Sequence, residues 1–270
     1  LVGSEMCIRD RFTNLNFGFN DNTVLQETVA ENSTTPSREG YPVGAIFAYK
    51  TAGLDDEGYP LYLTKDGQKL SAKDFFQLNN AGASSLSAEE QRNLLTYMGS
   101  TDPKVSGGFT NTFKYQRVTL SVNCIFNFGM HVQTTPSYSL TTYDRGLNTN
   151  RDILDRWTPD NPDGKFPRLI NSSDRPEEYS FYDNYPILNN LDIYVKKQNY
   201  FRFQSIRLAY DLPTRWLKPI GVKSASVSLE GRDLWVIASN YHNYLDPETM
   251  GNPYASPIPK SFIFGLNVNF

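Results

Sequence analysis

The chain has 270 residues, 20% of them charged, with a formal net charge of −3, so it lacks the basic field that marks a nucleic-acid partner. Aromatic residues make up 14%, with 17 Tyr and 17 Phe, yet the mean hydropathy is −0.49, a mixture that suits strands with one wet face. No apolar run reaches the roughly 18 residues of a transmembrane helix, which excludes that element but not membrane β-strands, whose signal per segment is far weaker.

The chain opens on Leu1 with "LVGSEMCIRDR". "EMCIRDR" resembles the conceptual translation of a transposon-end sequencing adapter, so residues 1–11 are set aside as an artefact and 12–270 are taken as the domain. No charged segment followed by an apolar stretch is present at the start, and a truncated chain is expected. From Phe12, Thr13, Leu15, Phe17 and Phe19 alternate with Asn14, Asn16, Gly18 and Asn20, the period of a strand. "YPVGAIFAYKTAG" and "LDDEGYPLYLTKDGQKL" read as short strands or a loop hairpin. Over residues 71–98 the period changes. Ser71 with Asp74 and Ser87 with Glu90 fit the Ser-x-x-acid cap, and Leu94, Leu95 and Met98 follow at helical spacing, predicting two short helices. Glu89 and Glu90 are neighbours in sequence and diverge on a helix, so they read as a solvated first turn and not as an acid/base pair.

The strongest pattern follows. Val118, Leu120, Val122, Cys124, Phe126, Phe128 and Met130 take one face, while Thr119, Ser121, Asn123, Asn127, Gly129 and His131 take the other. This run of 14 residues is longer than the ~5–6 typical of globular strands and long enough for a tilted strand to cross a bilayer, which needs ~9–11. Residues 132–199 form a long Pro-, Asn-, Asp- and Tyr-rich connection with a short helix around "NRDILDRW". Next, Ile206, Leu208, Tyr210 and Leu212 share one face, and Ala225, Val227 and Leu229 another, with the shorter turn "PTRWLKPIG" between them. A polar loop over 239–260 leads to "SFIFGLNVNF", where Phe262, Phe264, Leu266, Val268 and Phe270 alternate with mostly small polar residues.

Short connections thus alternate with long ones along an antiparallel meander, as in outer-membrane barrels. The expected fold is all-β, an antiparallel transmembrane β-barrel portion of about seven or eight strands, curved and open by itself, with short helices in long loops. Val118, Leu120, Val122, Phe126, Phe128, Phe262, Phe264, Leu266 and Val268 are the predicted lipid-facing set. A secreted or surface β-sandwich that binds carbohydrate is the alternative reading of the same alternation.

Candidate chemistry is sparse. Cys7, Cys124, His131 and His242 have no metal-ligand spacing, so no metal and no cofactor is expected. "LDPET" and "LDDEG" cluster acids without the alternating positions and distal Glu of a calcium loop, and read as turns. No Gly-x-Ser-x-Gly, His-Glu-x-x-His or phosphate loop occurs, so the chain is read as no enzyme. For ligand contact the best candidates are aromatics of the long loops, whose faces stack on sugar rings or apolar side chains: Trp157, Tyr182, Tyr185, Tyr241 and Tyr244.

Six segments in order, "EGYPVGAIFAYKTAGLDDEGYPLY", "YMGSTDPKVSGGFTNTFKYQRVTLSV", "RWTPDNPDGKFPRL", "FRFQSIRLAYDLP", "SVSLEGRDLWVIASNYHNYLDPE" and "SPIPKSFIFGLNVNF", resemble the SusC/RagA-type TonB-dependent receptors of Bacteroidota outer membranes. The resemblance implies the C-terminal part of a barrel of about 22 strands around a plugged lumen. It also implies import of oligosaccharides or oligopeptides with a SusD-like surface lipoprotein and energy from the TonB complex, through a plug and TonB box that precede this chain. Phe270 matches the terminal aromatic that resembles the signal read by the barrel-assembly machinery.

Overall fold

The computed structural model describes residues 9–77, 86–134, 151–169, 190–238, 246–252 and 255–270. Its strands run β1 (Arg9–Phe19), β2 (Ala45–Ala48), β3 (Thr51–Leu54), β4 (Pro60–Leu63), β5 (Lys69–Leu70) and β6 (Thr96–Ser100). They continue as β7 (Val105–Tyr115), β8 (Val118–Gln133), β9 (Val195–Asp211), β10 (Ser224–Ala238) and β11 (Ser261–Asn269). The long strands form one antiparallel sheet of six in the order β1-β7-β8-β9-β10-β11, with β1 and β11 as its edges. Among the described residues this sheet has six strands, beside the expected seven or eight. The short strands belong to the connection after β1 and pair only as a two-stranded ribbon, β2-β6, and a three-stranded one, β3-β4-β5.

Pairing registers carry the sequence alternation across the sheet. Phe113, Leu120, Leu208, Leu229 and Phe264 stand opposite one another from β7 to β11. On the other face the next row is Thr112, Ser121, Arg207, Glu230 and Ile263. Because a strand has a period of two, each such row fixes the facing of the whole strand until the register slips.

It slips at two bulges. Between Asn123↔Ser205 and Cys124↔Phe203 the extra residue is Gln204, opposed on β10 by Asp233 and Leu234, with Asp233 at φ 53. Between Asn127↔Tyr200 and Met130↔Gln198 the extra residue on β8 lies at Phe128–Gly129, with Gly129 at φ 80. Met130 consequently shares a face with Gln198 and Tyr200, and is not on the apolar face where strict alternation places it.

Two short helices occupy the connection between β1 and β7: α1 (Ala72–Phe76), capped by the Ser71 hydroxyl, and α2 (Ala88–Leu94), whose Ser87 and Glu90 form a reciprocal capping box. Met98 is in strand β6 and not in the second helix, and "NRDILDRW" forms a 3-10 turn over Arg151–Asp155. Strand β1 starts at Arg9, inside the segment set aside as an artefact, with Arg9, Asp10 and Arg11 opposite Tyr115, Lys114 and Phe113.

Buried apolar residues gather in two places. The larger cluster holds Tyr49, Tyr59, Tyr62, Phe75, Phe76, Phe166, Leu191 and Tyr194, all from the long connections. Its rings pack directly, Tyr62 stacked on Phe75 at 4.6 Å and Phe166 on Tyr194 at 5.9 Å. The smaller cluster is Leu217, Val222 and Ala225, with Leu212 and Val268 against it.

Candidate functional site

The first candidate surface is the apolar face of the six-stranded sheet. Phe262, Phe264 and Leu266 are 72%, 73% and 63% exposed, and Val118 and Phe128 are exposed beside half-buried Leu120, Val122 and Phe126. None of these eight belongs to either buried cluster; Val268, the ninth, packs against the smaller one. The face is larger than the sequence reading. Because the register skips Gln204, Phe201 and Phe203 stand opposite Phe126 and Cys124, and Ile237 and Trp235 stand opposite them in turn. Leu15, Phe17 and Phe19 of β1 extend it, each more than half exposed. Phe201, Phe203, Trp235 and Ile237 lie beyond a bulge, which only the partner strand reveals. Phe270 follows β11 and is exposed.

The opposite face is polar and cross-linked. Asn123 Nδ2 donates to Ser205 Oγ at 2.9 Å, Arg207 Nη2 to Ser228 Oγ at 3.3 Å, and the Thr112 and Ser121 hydroxyls meet at 3.2 Å. Near the end where the long connections leave, Asn127 Nδ2 donates to the Tyr200 hydroxyl at 2.5 Å. Arg202, only 2% exposed, donates there through Nη2 to Asp246 and through Nε to Glu248. Asp246 also accepts from the Glu248 amide at 2.9 Å through its side chain, and its carbonyl accepts from Met250 at 2.8 Å. Residues 246–250, which include the acids of "LDPET", thus form a turn closed around a buried guanidinium. In "LDDEG", Asp55 Oδ1 accepts from the amides of Glu57 and Tyr59 at 3.0 and 2.8 Å, also a turn.

Among the loop aromatics, Trp157 is buried, with the Arg168 guanidinium 5.3 Å above its ring and 5.5 Å above that of Tyr59. Gly58, at φ 85, lies so close that a Cβ there would stand 2.4 Å from the indole. Tyr182, Tyr185, Tyr241 and Tyr244 lie outside the described residues. Two clefts open among the connections. One of about 280 Å³ is lined by Leu54, Pro60, Pro162, Lys165 and Ile193. The other, about 360 Å³, is lined by Asn20, Asp21, Tyr97, Asp102 and His131 among others. Burial pushes the Tyr49 hydroxyl up to about 12, so it stays protonated in the aromatic cluster. The Arg38 side chain beside Glu27 holds that carboxyl below its ordinary range, chiefly by hydrogen bonding.

The geometry can be set against known proteins. No protein-family model matches the chain. It is 29% identical over 191 residues to the TonB-dependent receptor P26 of Formosa agariphila, a match that covers 64% of this chain and 18% of that protein. The fold is that of chains in solved RagAB structures. The RagAB peptide transporter superposes with a TM-score of 0.65 at 20% identity, and the RagAB peptide importer in its open-open state with 0.68 at 19%. Each superposition covers 97% of this chain and 27% of the other. The chain therefore spans about a quarter or less of the length of these proteins, and it is to TonB-dependent receptors that it is similar in sequence.

Proposed function

We propose that the chain is the C-terminal barrel portion of a SusC/RagA-type TonB-dependent receptor that imports nutrient across the outer membrane. The observation that carries this reading is the apolar face of a sheet whose strands β8, β9 and β10 have 16, 17 and 15 residues, longer than globular strands and sufficient for a bilayer; toward β1 that face carries Thr13 and the Arg11–Asn111 hydrogen bond. In this reading acyl chains cover Leu120, Val122, Phe126, Phe264 and their neighbours, the polar face borders the lumen, and Phe270 is the barrel-assembly signal.

The substrate is an oligosaccharide or an oligopeptide, received under a SusD-like lipoprotein and moved with energy from TonB. Its contacts come from the outside connections, with Tyr182, Tyr185, Tyr241 and Tyr244 as candidate stacking groups, while Trp157, buried under Arg168, packs its own connection. Support for a solute path comes from the Asn, Ser, Thr and Arg side chains of the polar face, which offer both donors and acceptors to either substrate class.

The test uses the full-length receptor expressed in its Gram-negative host. The protein should fractionate with the outer membrane, and uptake of labelled oligopeptides or oligosaccharides should disappear when TonB is deleted. Recovery of the folded protein in the soluble fraction would overturn the reading in favour of a binding module.

A further inference from the structure

The connection from β9 to β10, residues 212–223, does not run on in line with the sheet. It forms a helix α3 (Thr214–Leu217) and a 3-10 turn (Lys218–Ile220), closed by Gly221 at φ 73. Leu217 and Val222 are buried against Ala225, Leu212 and Val268. Ala225 pairs with Val268 two residues along from Val227↔Leu266, on the same face as that pair. The turn is therefore folded back onto the apolar face of the sheet, at the end where β7 and β8 are joined by the two-residue turn 116–117.

The outer side of this turn has a particular chemistry. Trp216 and Ile220 are 56% and 69% exposed. Around them Arg215, Lys218 and Lys223 are all exposed, and residues 212–223 contain no acid. The Arg215 guanidinium lies 5.8 Å from the Trp216 ring centroid. An indole and an aliphatic side chain that continue an oily face, edged by cations on long stems, match the boundary between acyl chains and headgroups.

We propose that residues 212–223 form a docking surface for anionic phospholipid. Trp216 and Ile220 enter the leaflet at the short-turn end of the sheet, and Arg215, Lys218 and Lys223 meet the headgroup phosphates. The occupant is a lipid and not a protein because Leu217 and Val222 seat this turn on the apolar sheet face and its charge is complementary to an anionic headgroup. This inference rests on the membrane reading above.

The test places the full-length receptor in vesicles of phosphatidylcholine containing either brominated phosphatidylglycerol or brominated phosphatidylcholine, and reads quenching of tryptophan fluorescence. W216F and W235F give the contributions of Trp216 and Trp235 by difference. Trp216 should be quenched by both lipids but more by brominated phosphatidylglycerol, without competition from millimolar inorganic phosphate. In R215Q/K218Q/K223Q that preference should fall by about tenfold or more, while Trp235, in the middle of the sheet face, is quenched as before. Its unchanged signal reports that the variant is folded and inserted, and K218Q/K223Q serves if the triple variant does not assemble. Equal quenching of Trp216 by the two lipids in the unaltered receptor would overturn the proposal, as would competition by free phosphate. Absence of Trp216 quenching with Trp235 still quenched would also overturn it, leaving the membrane reading intact. Loss of quenching at both would sink the two together.

Discussion

At the scale of single residues, two positions set what the sheet can present. Gly129 sits at φ 80, and a Cβ there would approach the Lys104 Cβ to 2.9 Å; it shapes the bulge that turns Met130 to the polar face. G129A should therefore destabilise the full-length receptor by about 1–3 kcal/mol, read as a lowered urea midpoint in refolding into lipid vesicles. An unchanged midpoint would mean that the bulge has another origin. Arg202 is the second position, because its Nε and Nη2 serve two different carboxylates in a site that is 2% exposed. R202A leaves Asp246 and Glu248 facing each other without a cation, a change that costs about 3–5 kcal/mol for a buried pair. R202K keeps the charge but loses the planar fork, so its midpoint should fall between the two. If R202A and R202K behave alike, it is the geometry and not the charge that holds the turn over 246–250.

At the scale of elements, the sheet's two faces make opposite demands on the same strand. A Lys in place of Val122 should destabilise insertion by about 2–4 kcal/mol if that side chain lies near the bilayer midplane, and much less in place of Asn123; equal tolerance in a vesicle-folding assay would refute the facing. Strand β8 was legible in the sequence up to Phe128 because nothing in its own chain interrupts the period. Strands β9 and β10 were only half legible. Phe201, Phe203, Trp235 and Ile237 join the apolar face through a residue that is extra relative to a partner, which is a property of a pair of strands and not of one. Both helix starts were legible for a local reason, since in each a Ser hydroxyl accepts from the backbone amide of the acid three residues on, and at α2 Glu90 also accepts from the Ser87 amide. Helix ends were less so: Met98 fits the helical period, yet β6 pairs with β2 across Thr96–Ser100, a tertiary choice. Trp157 shows the same limit at the site, because loop location suggests exposure while packing under Arg168 buries it. The capping box also predicts a pH response. The Ser87 amide, and then its hydroxyl, hold the Glu90 carboxyl below its ordinary range, so this group's contribution is full above the unfolded carboxylate pKa and is lost as pH falls through the lowered value. Amide exchange in α2 should accelerate, relative to the rest of the receptor, only at that acid end, and E90Q should remove the dependence.

At the scale of the whole molecule, the sheet poses a physical problem that its own residues do not solve. Among the described residues, strands β1 and β11 each leave one side of the backbone without a strand partner, and the apolar face exposes Phe17, Phe19, Phe262, Phe264 and Leu266 together. Unpaired edges beside an oily face are a template for association. The buried clusters cannot relieve this, since one is made from the connections and the other lies under the 212–223 turn. In the proposed receptor both defects vanish at once: strands from the preceding part of the barrel pair with the edges, and lipid covers the face. Residues 12–270 produced by themselves should therefore sediment as aggregates from water, and adding detergent should disperse them without restoring the heat-modifiable migration of a closed barrel, because detergent covers the face but supplies no strands. The full-length receptor should show that migration. A soluble, monomeric 12–270 with cooperative unfolding would mean that some fold of this chain shelters Phe264 and its neighbours internally, and the assignment of that face to acyl chains would fall with it.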